Sequence, residues 1–238
     1  MNIIFVKWGT KYPSEDVNTL YNSLKKCSRA WFDPLPVFYC YTDDPTGIDP
    51  HIKIIDIPSK PALKVWWNKL PMFNKDFPLH GKTIFFDLDV YIRHNPFPLI
   101  ETSDWSKLTL IDCRPWKDII NTDSNYSTRY DVTMNSTVIT WDADNPEIHK
   151  MWDHFNGPQK DYFLRKYKGI DRFIQHEGFS YELFSTELIQ SYKYQLEDDY
   201  MNNPIVTFEE VDYGRSDIKT WIEDDKENIR RKHAVSGS

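Results

Sequence analysis

The chain reads as one α/β domain, a mixed central sheet flanked by helices, and three observations predict this. Ile3, Ile4, Phe5 and Val6 form an unbroken apolar run, the pattern of a strand buried on both faces. Segments of that kind alternate with segments of helical periodicity along most of the chain. The 238 residues, 40% of them hydrophobic, are enough for a single sizeable core.

The elements follow in order. After the first strand, Lys7 to Pro13 is a loop, and Ser14 with Glu15 and Asp16 behind it predicts a capped helix start. Val17, Leu20, Tyr21 and Leu24 then repeat at helical spacing. Val37 to Thr42 reads as a second strand, stopped by the turn-forming Asp43, Asp44, Pro45, Thr46 and Gly47, and Ile52 to Ile57 as a third. Trp66 to Phe73 predicts a short helix, followed by an apolar strand, Lys82 to Phe86, that runs out into Asp87, Leu88 and Asp89. Leu108 to Asp112 and Thr137 to Trp141 predict further strands. Pro146 to Phe155 and Asp161 to His176 carry helical periodicity, with Pro146 near a helix start. Residues 1–215 are expected to form the domain. Residues 216–238 are expected to form a charged terminal helix and tail, with Ile218, Trp221, Ile222 and Ile229 lining one face.

Composition narrows the function. A net charge of −7 and a sequence pI near 5.5 argue against a nucleic-acid binder, which needs a basic face to neutralise phosphates. Cys27, Cys40 and Cys113 are odd in number with no close pair, which fits a reducing compartment, and a cytoplasmic location is expected. The opening apolar run is too short for a signal peptide or membrane span, and no stretch approaches the roughly 20 apolar residues of a transmembrane helix. The seven histidines lack the helical spacing of a zinc site. Asn125 and Asn135 begin glycosylation sequons, which matter only in a secreted chain.

Asp87 and Asp89 stand where a buried strand ends, the position at which open α/β sheets bind ligands. Alternation along an extended backbone sends both side chains to one side, so two hard oxygen donors can reach one Mg²⁺ or Mn²⁺. Lys69 is the candidate cation beside them. The same spacing recurs at Asp142 and Asp144, so spacing alone also fits a solvated strand end or turn.

The surrounding motifs carry a resemblance. Trp66, Trp67, Asn68, Lys69 and Leu70 with Phe73, then Phe85, Phe86, Asp87, Leu88, Asp89 and Val90, resemble the GT-A glycosyltransferases related to the glycogenin class, family 8. Val6 to Tyr12, Tyr41 to Gly47, Asn135 to Val138, Gly169 to Ile174 and Ser191 to Lys193 extend the likeness in the same order, over roughly residues 3 to 208. The resemblance implies a Rossmann-like GT-A domain that uses a nucleotide diphosphate sugar, UDP- or GDP-linked, and an unidentified acceptor. It implies that Asp87 and Asp89 hold Mn²⁺ or Mg²⁺ and the donor, and that Lys69 holds the donor phosphates. Trp8, Thr10 and Tyr12 would line the nucleotide, and Asn135 and Asp171 would face the sugar. Asp43, Leu88 and Ser136 complete the implied donor-binding set, with Asp171 and Lys69 as the catalytic pair.

Two departures stand out. Asp171 is followed by Arg172 where the family commonly has Gln, and no His follows the late strand Ile205 to Phe208, where one normally completes the metal site. Glu209, Glu210 or Asp212 could replace that ligand, or the metal could bind weakly. Two alternatives therefore remain: a nucleotide-sugar-binding module that has lost turnover, and a haloacid-dehalogenase-type phosphatase, whose nucleophile strand Ile84 to Asp89 also resembles. Against the phosphatase, Tyr91 stands where that family usually has Thr or Val, and some eighty residues precede the motif.

Overall fold

A computed structural model of the chain describes residues 1–58, 63, 65–115, 132–192, 203–208 and 216–236. The apolar opening run forms β1 (Asn2–Lys7), buried along its whole length at the heart of a seven-stranded sheet. It lies between β2 (Val37–Thr42) and β4 (Lys82–Phe86), parallel to both. Ile3 and Phe5 face α1 (Ser14–Ser28), which buries Val17, Leu20, Tyr21 and Leu24 at the predicted spacing. Ile4 and Val6 face the opposite core, which explains why no polar residue interrupts the run. Beyond β2 lies β3 (Lys53–Asp56), mostly exposed and ended by charges, as suits an edge strand. On the other side β4 pairs antiparallel with β7 (Met134–Asp142), β7 with β6 (Leu108–Asp112), and β6 runs parallel to β8 (Tyr181–Leu183).

The second core is aromatic. It packs a 3₁₀ helix (Val65–Phe73) against α2 (Pro146–Phe155), α3 (Lys160–Lys166) and α4 (Ile170–His176), with the Phe173 ring meeting those of Trp67, Phe155 and Phe163. The sequence predicts one helix over Asp161 to His176, whereas the structure has two. The first ends at Lys166, where Tyr167 turns extended (φ −102°, ψ 135°), and Gly169, with φ +152°, a conformation that side-chain-bearing residues rarely adopt, caps the start of the second. Ser14 also departs from expectation. It is the first helical residue, the N-cap is Pro13 without a side-chain bond, and the Ser14 hydroxyl instead lies against Gly47, where a Cβ would come within 2.5 Å of it. Cys40 and Cys113 are buried core residues and Cys27 is half-buried, and none of the three is in a disulfide.

A smaller sheet joins β5 (Val90–Ile92), β10 (Ile205–Thr207) and β9 (Ile189–Ser191). The terminal helix α5 (Ser216–Ser236) covers it, setting Ile218 and Ile222 on Tyr91, Val206 and Phe208. Residues 209–215, where the expected boundary at 215 falls, lie outside the described residues. Among the described residues no helix is long and apolar enough to cross a membrane.

One buried ion pair fastens α5 to this sheet. Arg93 Nε donates to Asp225 Oδ2 at 3.0 Å with the side chains 1% and 4% exposed, and Arg93 Nη1 also donates to Gln190 at 3.2 Å. Removing one member leaves the other charge desolvated, so Asp225→Ala is expected to cost about 3–5 kcal/mol in urea unfolding. The apolar pair Arg93→Met with Asp225→Leu is expected to cost much less. Equal losses in the two proteins would show that the charges contribute nothing beyond packing.

Candidate functional site

The site grows from the link between the two sheets. β4 is buried to Phe86, and three residues later the chain enters β5. Asp87, Leu88 and Asp89 make that link, and their backbone is held from both sides. Asp87 N–H donates to the Thr137 carbonyl on β7 at 2.8 Å, and Phe208 N–H donates to the Asp89 carbonyl at 3.1 Å. Leu88 is buried in the core on the α1 side, so alternation turns Asp87 and Asp89 the other way. β1 sits between β2 and β4, so this end of the sheet is where strand order reverses, the position at which open α/β sheets bind ligands.

Lys69 reaches the same place from the 3₁₀ helix. Its side chain is 8% exposed, and Nζ donates to Asp87 Oδ2 at 2.5 Å, to the Ser136 carbonyl at 3.1 Å and to Ser136 Oγ at 3.5 Å. An ammonium has three donors, and these contacts engage them all. Asp171, in the first turn of α4, has a buried Oδ1 without a hydrogen-bond partner. Burial raises its carboxyl pKa, opposed by Lys69 and by Ser136. Tyr12, in the loop after β1, donates to Asp89 Oδ2 at 3.2 Å. Burial, then the charges of Asp89 and Asp87, hold its phenol protonated, so it acts as a donor.

Tyr12, Lys69, Asp87, Asp89, Ser136 and Asp171 thus meet at one strand end. The other predicted residues sit differently. Asp43 is exposed and accepts from Gly9 N–H at 3.0 and 3.1 Å, tying the loop after β2 to the loop after β1. Thr10 is exposed on that loop, and Trp8 is half-buried against the aromatic core. Asn135 accepts from Thr137 N–H at 2.8 Å, a local bond within β7, and Leu88 is a core residue. Asp142 and Asp144 are turn-formers: Asp142 accepts from Asp144 N–H, and Asp144 accepts from Gly81 N–H. Glu209, Glu210 and Asp212, together with Asn125 and Lys193, lie outside the described residues. Sequence reasoning missed the anchoring of Lys69 by the Ser136 carbonyl. A backbone acceptor leaves no residue-type signal, and the contact depends on the β4–β7 register that sets Phe86 opposite Val138.

Among the described residues no three His, Cys, Asp or Glu side chains cluster as a metal centre. The pair Asp87 and Asp89 still fits a hard divalent ion. Each keeps one oxygen outside the contacts to Lys69 and Tyr12, and Mg²⁺-type ions are commonly held by one or two carboxylates together with substrate phosphates and water.

Asp87, 24% exposed, has its carboxyl pKa pushed up to about 7 by burial, with Lys69 opposing and Asp89 reinforcing the shift. The folded chain therefore holds this proton more tightly than the unfolded chain does. The group's stabilising contribution is full below its ordinary value of 3.8 and is lost as pH rises toward 7. Urea melts in EDTA are expected to show metal-free stability falling over that window, with a flatter profile in Asp87→Asn. Identical profiles would contradict the assignment.

No family model matches the chain, and no curated protein matches it in sequence. Solved structures do match. The galactosyltransferase LgtC, in complex with donor and acceptor sugar analogues, superposes with a TM-score of 0.61 at 13% identity, over 95% of this chain and 94% of that one. The bifunctional glycosyltransferase WbbM gives 0.55 at 8% identity, over 88% of this chain and 46% of that one. Mouse xyloside xylosyltransferase 1 gives 0.52 at 10% identity, over 87% and 97%. Likeness at such identities establishes architecture, and the chain has the GT-A fold of these glycosyltransferases.

Proposed function

We propose that the chain is a glycosyltransferase that moves a sugar from a UDP- or GDP-linked donor to an acceptor, with Mn²⁺ or Mg²⁺ held by Asp87 and Asp89. The observation that carries this reading is the meeting of two carboxylates and a buried lysine at the strand-order reversal of a fold shared with glycosyltransferases. When bound, the cation supplies charge stabilisation to the departing diphosphate. The residues divide the rest of the work. Lys69 adds a fixed positive charge beside the phosphates, and Tyr12 holds Asp89 through its hydroxyl. Ser136 accepts from Lys69, and the Lys69 charge acts on the buried Asp171 carboxyl. Trp8, Thr10 and Asp43 lie on the two loops next to Tyr12, where the base and ribose would rest.

The phosphatase alternative is not favoured, because the fold is that of glycosyltransferases. The binding-module alternative shares the fold and differs only in turnover. Calorimetry with UDP and GDP in the presence of Mn²⁺, beside a donor-hydrolysis assay, tests the proposal. Nucleotide binding with metal-dependent hydrolysis supports transfer chemistry, binding without hydrolysis of any donor supports the module, and no nucleotide binding removes both.

A further inference from the structure

The two carboxylates of the site are anchored by different parts of the molecule. Asp87 belongs to the large sheet, its N–H on the Thr137 carbonyl of β7 and its side chain on Lys69. Asp89 belongs to the small one. β5 and β10 pair antiparallel with Val90 opposite Thr207, and Phe208 N–H closes the ladder on the Asp89 carbonyl at 3.1 Å. The small sheet has only three strands, and the layer over it is α5.

Within α5, Trp221 makes the contacts that span this sheet. Its indole meets the buried Phe208 ring edge-on at 6.0 Å between centroids, Tyr91 on β5 at 6.1 Å, and Tyr192, the residue after β9, at 5.1 Å. The Arg93 guanidinium, fixed by Asp225, lies 5.5 Å from the same ring. One half-buried side chain thus touches all three strand systems, and one of its partners is the residue whose N–H holds Asp89. A second path from α5 leads to the Asp89 side chain. Burial raises the Asp16 carboxyl, in the first turn of α1, and the Lys219 charge on α5 opposes that rise. Asp16 in turn acts on the Tyr12 phenol that donates to Asp89. We propose that Trp221 is a positioning residue for the metal and donor site, acting through Phe208 to hold Asp89, while Asp87 is held independently. The inference rests on the glycosyltransferase reading and adds to it the dependence of one metal ligand on the terminal helix.

Amide hydrogen exchange by NMR on the metal-free full chain tests it. In Trp221→Ala the Phe208 amide is expected to lose about tenfold or more of its protection while the Asp87 amide keeps its own, and Trp221→Phe should restore most of the loss. With UDP or GDP present, the apparent Kd for Mn²⁺ should rise about tenfold in Trp221→Ala, and saturating Mn²⁺ should recover most of kcat. A role in stability alone would lower both amides together, and added Mn²⁺ would recover nothing. Either of those results, or an unchanged Phe208 amide, overturns the proposal. Should Trp221→Ala not fold, Trp221→Leu carries the same comparison of the two amides. Absence of Mn²⁺ uptake by wild type counts against the donor-site reading. The exchange measurement needs neither metal nor nucleotide, so it decides separately whether Trp221 holds Asp89.

Discussion

Asp87→Asn is expected to lower metal-dependent donor turnover by about 10²–10³-fold or more, and Asp89→Asn to do the same. Asparagine keeps the shape of the side chain and removes the charge that a divalent ion needs. The backbone contacts that place the pair do not involve the side chains: Asp87 N–H to Thr137, and Phe208 N–H to the Asp89 carbonyl. The link between the sheets should therefore keep its course, and a loss of turnover with cooperative unfolding intact isolates the charge. Full turnover and an unchanged response to Mn²⁺ in both variants would remove the pair from the site.

The second large effect is expected at Lys69. Its ammonium is the cation against Asp87 and the charge that opposes the raised pKa of Asp171. Lys69→Ala therefore acts twice. Fixed positive charge disappears from beside the leaving diphosphate, costing about 10²-fold or more in turnover. Two partly desolvated carboxylates also lose their counter-ion, and breaking a buried pair from one side costs about 3–5 kcal/mol as an upper range, less here because Asp87 retains some solvent. Lys69→Arg separates the two effects. It keeps the charge but brings a planar fork with different geometry, so stability should recover more than kcat does. Recovery of neither would point to a fit that only the compact ammonium meets, Nζ lying 5.0 Å from the Phe85 ring centroid.

How much of this was legible in the sequence varied with the physics of each element. β1, β2 and β4 are buried on both faces, and their unbroken apolar runs mark them plainly. α1 is amphipathic, and the spacing of Val17, Leu20, Tyr21 and Leu24 gave its buried face directly. The break over Tyr167 to Gly169 was hidden, since Phe163, Tyr167, Ile170, Phe173 and Ile174 keep helical spacing across it while the backbone of Tyr167 and Gly169 leaves the helix. β5, β8 and β9 have three residues each, too short for periodicity to declare. In the site, Asp87 and Asp89 were readable from their place at a strand end. The bonds from Tyr12 to Asp89 and from Lys69 to Ser136 join residues 77 and 67 positions apart, and only the sheet order brings them together.

A titration of free Mn²⁺ by electron paramagnetic resonance, with saturating UDP and again with saturating GDP, bears most directly on the central claim. The account predicts that wild type removes one Mn²⁺ per chain from solution in the presence of at least one nucleotide, and that Asp87→Asn with Asp89→Asn removes none. Equal uptake by the double variant, or no uptake by wild type with either nucleotide, would contradict it.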